Sequence, residues 1–511
     1  MNGNYIENLR ELLKHYNPWW SDFKWYEKDQ QISEYRSGRY TFMSRLYYHI
    51  KNKVVMVGKY GIVTVRGPRR SGKTTVVKLL IRSLIEENRI KPHNIYYISL
   101  DYGGIKDIRL FQILETIALQ GEDEKYVFLD EASMYSDWAL ELKNMFDAGL
   151  IIRGKLKIIA TGSHSMDLAE AVEKLRGRQG DLAMEFNLGG NLLFTPLRFP
   201  EVVEGVRDDI RSLLDRGKRR RVKTRFEALK SLGENIISSE LRELHDKFFV
   251  ILSELFENYL VHGGYPKAVK EFYEAGFIRK DFYFDIADLL IKDSKRVGLE
   301  PDVMKNVLAE LVVPEKLSGT LDISKFAEIR KDLGKHEVQR YLKYLTSTWA
   351  FFLSYREKKD TICEPNYQEQ PKLYVLDPFI FHALYAYINN IPDPFEASKT
   401  LLNNKDFRGL LIESVIASHL LLSQQLFTHV PHVNYDRVLM YGFTEGHEVD
   451  FILCVNRDNR LHRFIIESKY RERIKTAILP RGTVVLTKDT LDVNEERRIT
   501  YIPTPIFLML F

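Results

Sequence analysis

The stretch that most constrains this chain is Gly67-Pro68-Arg69-Arg70-Ser71-Gly72-Lys73-Thr74-Thr75, placed directly after the apolar run Gly61-Ile62-Val63-Thr64-Val65-Arg66. It fits G-x-x-x-x-G-K-[ST], and its flanks predict a strand before the loop and a helix over 74–85 after it. Main-chain N–H groups in such a loop point inward at phosphate oxygens, and the helix N-terminus adds partial positive charge. Only glycine tolerates the dihedrals and the close approach of backbone to phosphate that the two ends of the loop require. On this reading Lys73 reaches the β- and γ-phosphates and the Thr74 hydroxyl ligates Mg2+. The expected ligand is a nucleoside triphosphate, ATP with Mg2+.

From about 54 to 193, apolar strands alternate with helical stretches, as a parallel sheet covered on both faces requires. The predicted strands are Ile62–Val65, Ile95–Ser99, Tyr126–Leu129 and Leu156–Thr161. The third runs into Asp130-Glu131, an acidic pair at the end of a strand. Asp130 is expected to hold Mg2+ through water or through Thr74, and Glu131 to polarise an attacking water. Thr161, or Ser163 beside it, is the candidate contact to the γ-phosphate or its water; a simple turn is the alternative. Further on, Leu175-Arg176-Gly177-Arg178 offers Arg178 as an arginine finger toward a neighbouring subunit, or as plain surface cover.

Taken together with Trp138, with Leu175-Arg-Gly-Arg178 and with Gly263-Gly264-Tyr265-Pro266, these motifs resemble those of archaeal predicted ATPases of the AAA+/STAND group. They also resemble related bacterial AAA ATPases that end in a nuclease-like domain. The likeness runs from Pro18-Trp19-Trp20 to the end of the chain. It implies that Pro266 packs near the nucleotide base and senses its state. The residues by themselves say only that proline sits well in a first helical turn, where its missing N–H costs nothing.

A chain of 511 residues should form about three or four domains. The expected fold is α/β. Its parts are an N-terminal helical segment (1–50), a phosphate-loop NTPase core (51–193), a helical lid with a basic insertion (194–300), a winged helix (301–376), a linker (377–404) and a restriction-endonuclease-like α/β domain (405–511). Hydrophobic residues at 45% and charged residues at 28% are ordinary for a soluble protein, and a net charge of +5 gives no global argument for nucleic acid. Local features must carry it. Seven basic residues and no acidic ones lie between Arg216 and Arg225, either a solvated insertion or a phosphate-backbone contact. In the winged helix, the predicted helix Lys335–Leu345 buries Val338, Leu342 and Leu345 and turns Lys335, Gln339, Arg340 and Lys343 outward, as a recognition helix does.

Beyond Pro392 and Pro394, a predicted helix carries Glu413. A strand led by Glu448-Val-Asp450 follows, then a hairpin turn, and then a strand ending Glu467-Ser468-Lys469. This is the order of a PD-(D/E)XK nuclease. Adjacent strands place Asp450 and Glu467 to share Mg2+, Lys469 points to the same face as Glu467, and Glu413 approaches from the helix. The other reading is a nuclease-like fold retained for interaction, its carboxylates in surface ion pairs. The terminal Ile506–Phe511 reads as a last buried strand. Cys363 and Cys454 fit no metal spacing, and a structural disulfide is not suggested. With no basic-then-apolar leader and no run of eighteen apolar residues, the cytoplasm is the default and no membrane role is expected. Three functions remain open: an ATP-driven switch coupled to nucleic acid (DNA before RNA), an ATP-controlled Mg2+-dependent nuclease in DNA processing or defence, and a non-catalytic scaffold gating a protein partner. Each is compatible with an oligomer.

Overall fold

The computed structural model describes residues 11–101, 108–163, 174–216, 222–322, 334–359, 362–428, 433–444, 447–470 and 479–511. The chain divides into two compact units, Met1–Thr195 and Pro196–Phe511.

The first unit is built on five strands: β1 (Gly61–Arg66), β2 (Ile95–Ser99), β3 (Lys125–Asp130), β4 (Leu156–Gly162) and β5 (Asn191–Leu193), ordered β2-β3-β4-β1-β5. Every adjacent pair is parallel. Successive side chains leave a strand on opposite faces, and each face has its own core. On one side Ile62, Ile98, Leu129 and Ile158 pack with Ile113 of α2 (Leu110–Ala118) and Leu142 of α3 (Trp138–Asp147). On the other, Val63, Val65, Tyr97, Phe128 and Ile159 pack with Val76, Leu80 and Leu84 of α1 (Lys73–Glu86). Double burial explains why these strands read as unbroken apolar runs rather than alternating ones. The edge strand β2 is covered by side chains: Asn17 exchanges two hydrogen bonds with the Tyr97 backbone (2.6 and 3.2 Å), and the indoles of Trp19 and Trp20 both donate to the Ile95 carbonyl. An exposed strand edge is thereby capped without a sixth strand.

The second unit begins helical, with α4 (Ser239–His262), α5 (Pro266–Ala275), α6 (Lys280–Ser294) and α7 (Lys335–Ser347). A nine-stranded sheet follows. It comprises β6 (Phe351–Glu357), β7 (Pro365–Asn366), β8 (Lys372–Val375), β9 (Leu439–Thr444), β10 (His447–Arg457), β11 (Arg460–Lys469), β12 (Thr483–Thr487), β13 (Asp492–Asn494) and β14 (Ile499–Pro503). β10 and β11 form the expected antiparallel hairpin, and β11, β12 and β14 continue in parallel.

Several expectations are corrected here. The strand after α7 forms as expected, but it joins the C-terminal sheet: β6 pairs with β9 in parallel and with β8 antiparallel. The other winged-helix element, 323–333, lies outside the described residues. Residues 377–404 are not a linker but two helices, α8 (Pro378–Ile388) and α9 (Pro394–Leu401), with Phe379, Phe381 and Leu384 fully buried. Of the two prolines that suggested a break, Pro394 sits in the first turn of α9, where it starts the helix, and Pro392 lies in the bend just before it. The terminal apolar run is the helix α11 (Thr504–Leu508) rather than a strand; short fully buried runs carry no period that separates the two. Cys363 and Cys454, 91 residues apart, are joined as a disulfide. The chain after β6 folds back onto β10, against Met440, Val449 and Ile452, a proximity that sequence spacing does not encode. Of the basic block, 217–221 lie outside the described residues, while Arg225 is buried and donates to the Phe511 carbonyl oxygen at 3.2 Å.

The helix Lys405–Phe427, whose main segment is α10 (Lys405–Leu422), is long and apolar enough to cross a membrane by length and composition. However, 78% of its apolar window is buried inside the protein, which makes it a core helix here.

Candidate functional site

In the first unit β1 delivers the loop Gly67–Gly72 to the N-terminus of α1. Gly67 is close-packed: a Cβ there would lie 1.7 Å from the Phe194 carbonyl oxygen. Gly72 has φ +102°, the left-handed region that only glycine enters freely. Ser71 Oγ ties the loop internally to the Pro68 carbonyl at 2.8 Å. Lys73 is buried, and its Nζ donates to the carbonyls of Gly67 and Pro68, both at 2.9 Å. Burial holds this ammonium below the ordinary lysine range, although Glu131 and Asp130 pull the other way.

Because β4 lies between β1 and β3, three strand ends meet beside the loop. Asp130 is buried at the end of β3 and accepts hydrogen bonds from three hydroxyls: Thr74 (2.8 Å) and Tyr97 (2.8 Å) on Oδ2, and Thr161 on Oδ1. Thr161 also accepts the Glu131 N–H. Neighbours on a regular strand point to opposite faces, but Glu131 has φ +50°. This left-handed step, of a kind costing about 1–3 kcal/mol and concentrated at functional sites, turns the chain, and Ser163 Oγ holds the Glu131 carboxylate at 2.6 Å. Lys73, Thr74, Asp130, Glu131 and Thr161 therefore lie together beside the loop. Tyr97 was not anticipated; nothing in its local sequence marks a tyrosine of an apolar strand as a partner for an acid 33 residues later.

Arg178 is placed differently. Its guanidinium pairs with Asp147 at the end of α3, 2.8 Å away and half-exposed. Pro266 lies in the second unit, at the first turn of α5. The preceding glycines have a structural task there: the Gly264 N–H donates to Asp377, which also caps α8 through the Phe379 N–H.

The second unit brings together a different constellation. The pairing of β10 with β9 shifts register between Val449 and Ile452, a bulge that re-aims Asp450. Asp450 accepts the Ser468 N–H at 2.8 Å, its own N–H donates to Glu467, and Lys469 Nζ pairs with Glu467 at 2.5 Å. These three, and Glu413 from α10, are the predicted set. Lys372 on β8 is the addition. Its Nζ lies 3.0 Å from Glu448, 3.5 Å from Glu413 and 3.9 Å from Asp450. Tyr374, two residues along the same face of β8, donates to Glu413 at 2.9 Å. Burial and the neighbouring Asp450 push the Glu413 carboxyl up to about 7, against the pull of Lys372. Burial and Asp450 likewise raise Glu467. For Lys372, burial works to lower the ammonium, but the surrounding carboxylates outweigh it and hold it above the ordinary lysine range.

The two sites differ in their fit to a divalent ion. Beside the phosphate loop, a threonine hydroxyl and a carboxylate that among the described residues is bonded only by hydroxyls match the hard oxygen donors that Mg2+ takes, with phosphate supplying the rest. In the C-terminal cluster ammonium groups already lie against the carboxylates. Among the described residues, no group of three or more His, Cys, Asp or Glu is placed to hold a metal.

The model of an AAA domain matches residues 59–203. This part of the chain is a P-loop AAA-type ATPase domain. A second model, described only as a domain of unknown function, matches residues 253–392. No curated protein matches the chain. Among solved structures, a Walker-type ATPase of Pyrococcus abyssi is 15% identical, covering 67% of this chain and 96% of its own, at a TM-score of 0.39. The ORC1 protein of Aeropyrum pernix, solved with DNA, is 13% identical over 69% of this chain and 92% of its own, at 0.25. A RuvB variant of Thermotoga maritima is 15% identical over 60% and 85%, at 0.23. At such identities and scores none of the three bears on what this chain does.

Proposed function

We propose that this protein is an Mg2+-dependent ATPase of the AAA+/STAND kind, whose nucleotide state switches the rest of the chain. The observation that carries the reading is the Asp130 carboxylate, held by Thr74 on one side and Thr161 on the other, with Glu131 next to it in a left-handed turn. Lys73 moves its ammonium from the loop carbonyls onto the β- and γ-phosphates, a short exchange of oxygen partners. Thr74 and Asp130 would hold Mg2+, which would neutralise phosphate charge when bound. Glu131 accepts a proton from the attacking water once it leaves Ser163; Thr161 keeps Asp130 and the Glu131 backbone in place. Main-chain N–H groups at the start of α1 receive the phosphate oxygens.

Coupling to nucleic acid is the finer part of this reading. Its support is the outer face of α7, where Lys335, Gln339, Arg340 and Lys343 are exposed while Val338, Leu342 and Leu345 are buried. DNA is the partner that such a cationic helix suits best.

The test is ATP turnover by wild-type protein, Lys73→Ala and Glu131→Gln, each with and without duplex DNA, single-stranded DNA and RNA. Both variants should lose hydrolysis by about 10²–10³-fold, as expected for removing a preorganised charge-stabilising or proton-accepting group, and Glu131→Gln should still bind ATP. Full turnover in Lys73→Ala would remove the ATPase reading. Equal rates with every nucleic acid would remove only the coupling.

A further inference from the structure

The C-terminal cluster has the residue order of a metal-dependent nuclease, yet its charges are arranged for something else. Lys372 lies on β8, far from the cluster in sequence, and only 8% of its side chain is exposed. Its ammonium stands among three carboxylates drawn from two elements: Glu413 on α10, and Glu448 and Asp450 on β10. Glu467, the fourth, is taken by Lys469. Mg2+ binds at about 2.0–2.1 Å in a near-octahedral shell and keeps several waters. A shell of that kind around Asp450 and Glu413 would need the space that Lys372 Nζ fills. Two further donors fix the acids in their present orientation: Tyr374 on Glu413 and the Ser468 N–H on Asp450.

We propose that Lys372 is the resident cation of this cluster, standing where a divalent ion would otherwise neutralise the carboxylates. The cluster is then a latch built on a buried lysine and joining β8, α10 and β10, not a hydrolytic metal centre. The segment carrying β8 is thereby tied to the sheet that carries the nuclease-like residues, which accounts for the continuation of the expected winged-helix strand into that sheet. This inference does not depend on the ATPase reading.

The test uses the full chain without nucleotide and Mn2+ as the probe, with bound and free ion separated by electron paramagnetic resonance. Wild type and Asp450→Asn should bind Mn2+ with the same stoichiometry. Lys372→Ala should gain one Mn2+ site, and that site should vanish in Lys372→Ala/Asp450→Asn. A Mn2+ site in the wild type that Asp450→Asn removes would overturn the proposal, as would a folded Lys372→Ala protein that gains no site. Should Lys372→Ala fail to fold, the comparison of wild type with Asp450→Asn still decides. Cleavage of DNA or RNA by the wild type with Mn2+, abolished in Asp450→Asn, would also overturn it.

Discussion

The phosphate-loop site and the C-terminal cluster are made of the same residue types, and they differ in where the lysines rest. Each has acids at strand ends, a buried lysine on a neighbouring element and a tyrosine hydroxyl donating to one acid. In the first unit Lys73 donates to main-chain carbonyls, and among the described residues Asp130 receives only hydroxyls. In the second, Lys372 and Lys469 lie directly on carboxylates. A lysine on carbonyl oxygens gives up little when phosphate arrives, and an acid bonded by hydroxyls keeps its negative charge for a cation. Lys372 and Glu467 are themselves buried, so each pair is committed, because separating it leaves an uncompensated charge in a low-dielectric interior. The first arrangement is poised for a ligand; the second is closed.

Exchanging each lysine for alanine should therefore give opposite outcomes. Lys372→Ala leaves Glu413, Glu448 and Asp450 without their cation, and should cost about 3–5 kcal/mol of stability, read from denaturant midpoints. ATP turnover by this variant should survive wherever the first unit stays folded. Lys73→Ala should lose turnover by about 10²–10³-fold, or roughly 3–4 kcal/mol in the barrier, and only about 1 kcal/mol of stability. If Lys372→Ala were neutral in stability and Lys73→Ala severe, the comparison would be reversed and the latch lost.

Ligand response sharpens the contrast. ATP with Mg2+ at a hundredfold over its dissociation constant should stabilise the fold by about 2.7 kcal/mol, and Lys73→Ala should abolish the shift in melting temperature. Mg2+ alone should leave the second unit unchanged. A melting temperature that stays flat across the ATP titration in the wild type would break the first half of the comparison.

The pH response belongs to the second site. Glu413 has its carboxyl raised from 4.5 to about 7 in the folded protein, so between those values the folded state holds a proton that the unfolded chain has released. Stability from this group is complete below about pH 4.5 and is lost as pH rises toward 7, at up to about 1.4 kcal/mol per pH unit. Glu413→Gln cannot ionise and lacks this loss. The stability of the variant relative to wild type should therefore improve as pH increases through that window. A constant difference would show that Glu413 titrates normally.

What the sequence reveals about the two sites follows the same division. Gly67, Gly72, Lys73 and Thr74 lie within eight residues, and their chemistry is written in local spacing; Asp130 and Thr161 are legible because a buried parallel strand announces its own end. Lys372 and Tyr374 are not legible, since they meet Glu413, Glu448 and Asp450 only through sheet pairing across long loops. The disulfide of Cys363 and Cys454 has the same origin. Asp450, Glu467 and Lys469 are readable as a set, yet the cation facing Asp450 is not, because it comes from another strand. The helical ends at 378–401 and 504–508 were misread because proline and short apolar runs carry opposite meanings at a helix start and within a chain break.

The smallest expected effect separates the two tyrosines. Tyr97→Phe removes one of three hydroxyl donors from Asp130, leaving Thr74 and Thr161 in place, so its stability cost should be about 1 kcal/mol. Its functional mark should be a raised Mg2+ requirement for turnover with little change in maximal rate, because the phenol orients the acid without touching phosphate. Tyr374→Phe deprives Glu413 of its only hydroxyl donor among the described residues, leaving it the longer contact to Lys372 at 3.5 Å, and should cost about 1.5–3 kcal/mol, with ATP hydrolysis untouched. If Tyr97→Phe instead lowered the maximal rate at saturating Mg2+, the phenol would be acting on the reacting groups, and the resemblance between the two tyrosines would end at their hydrogen bonds.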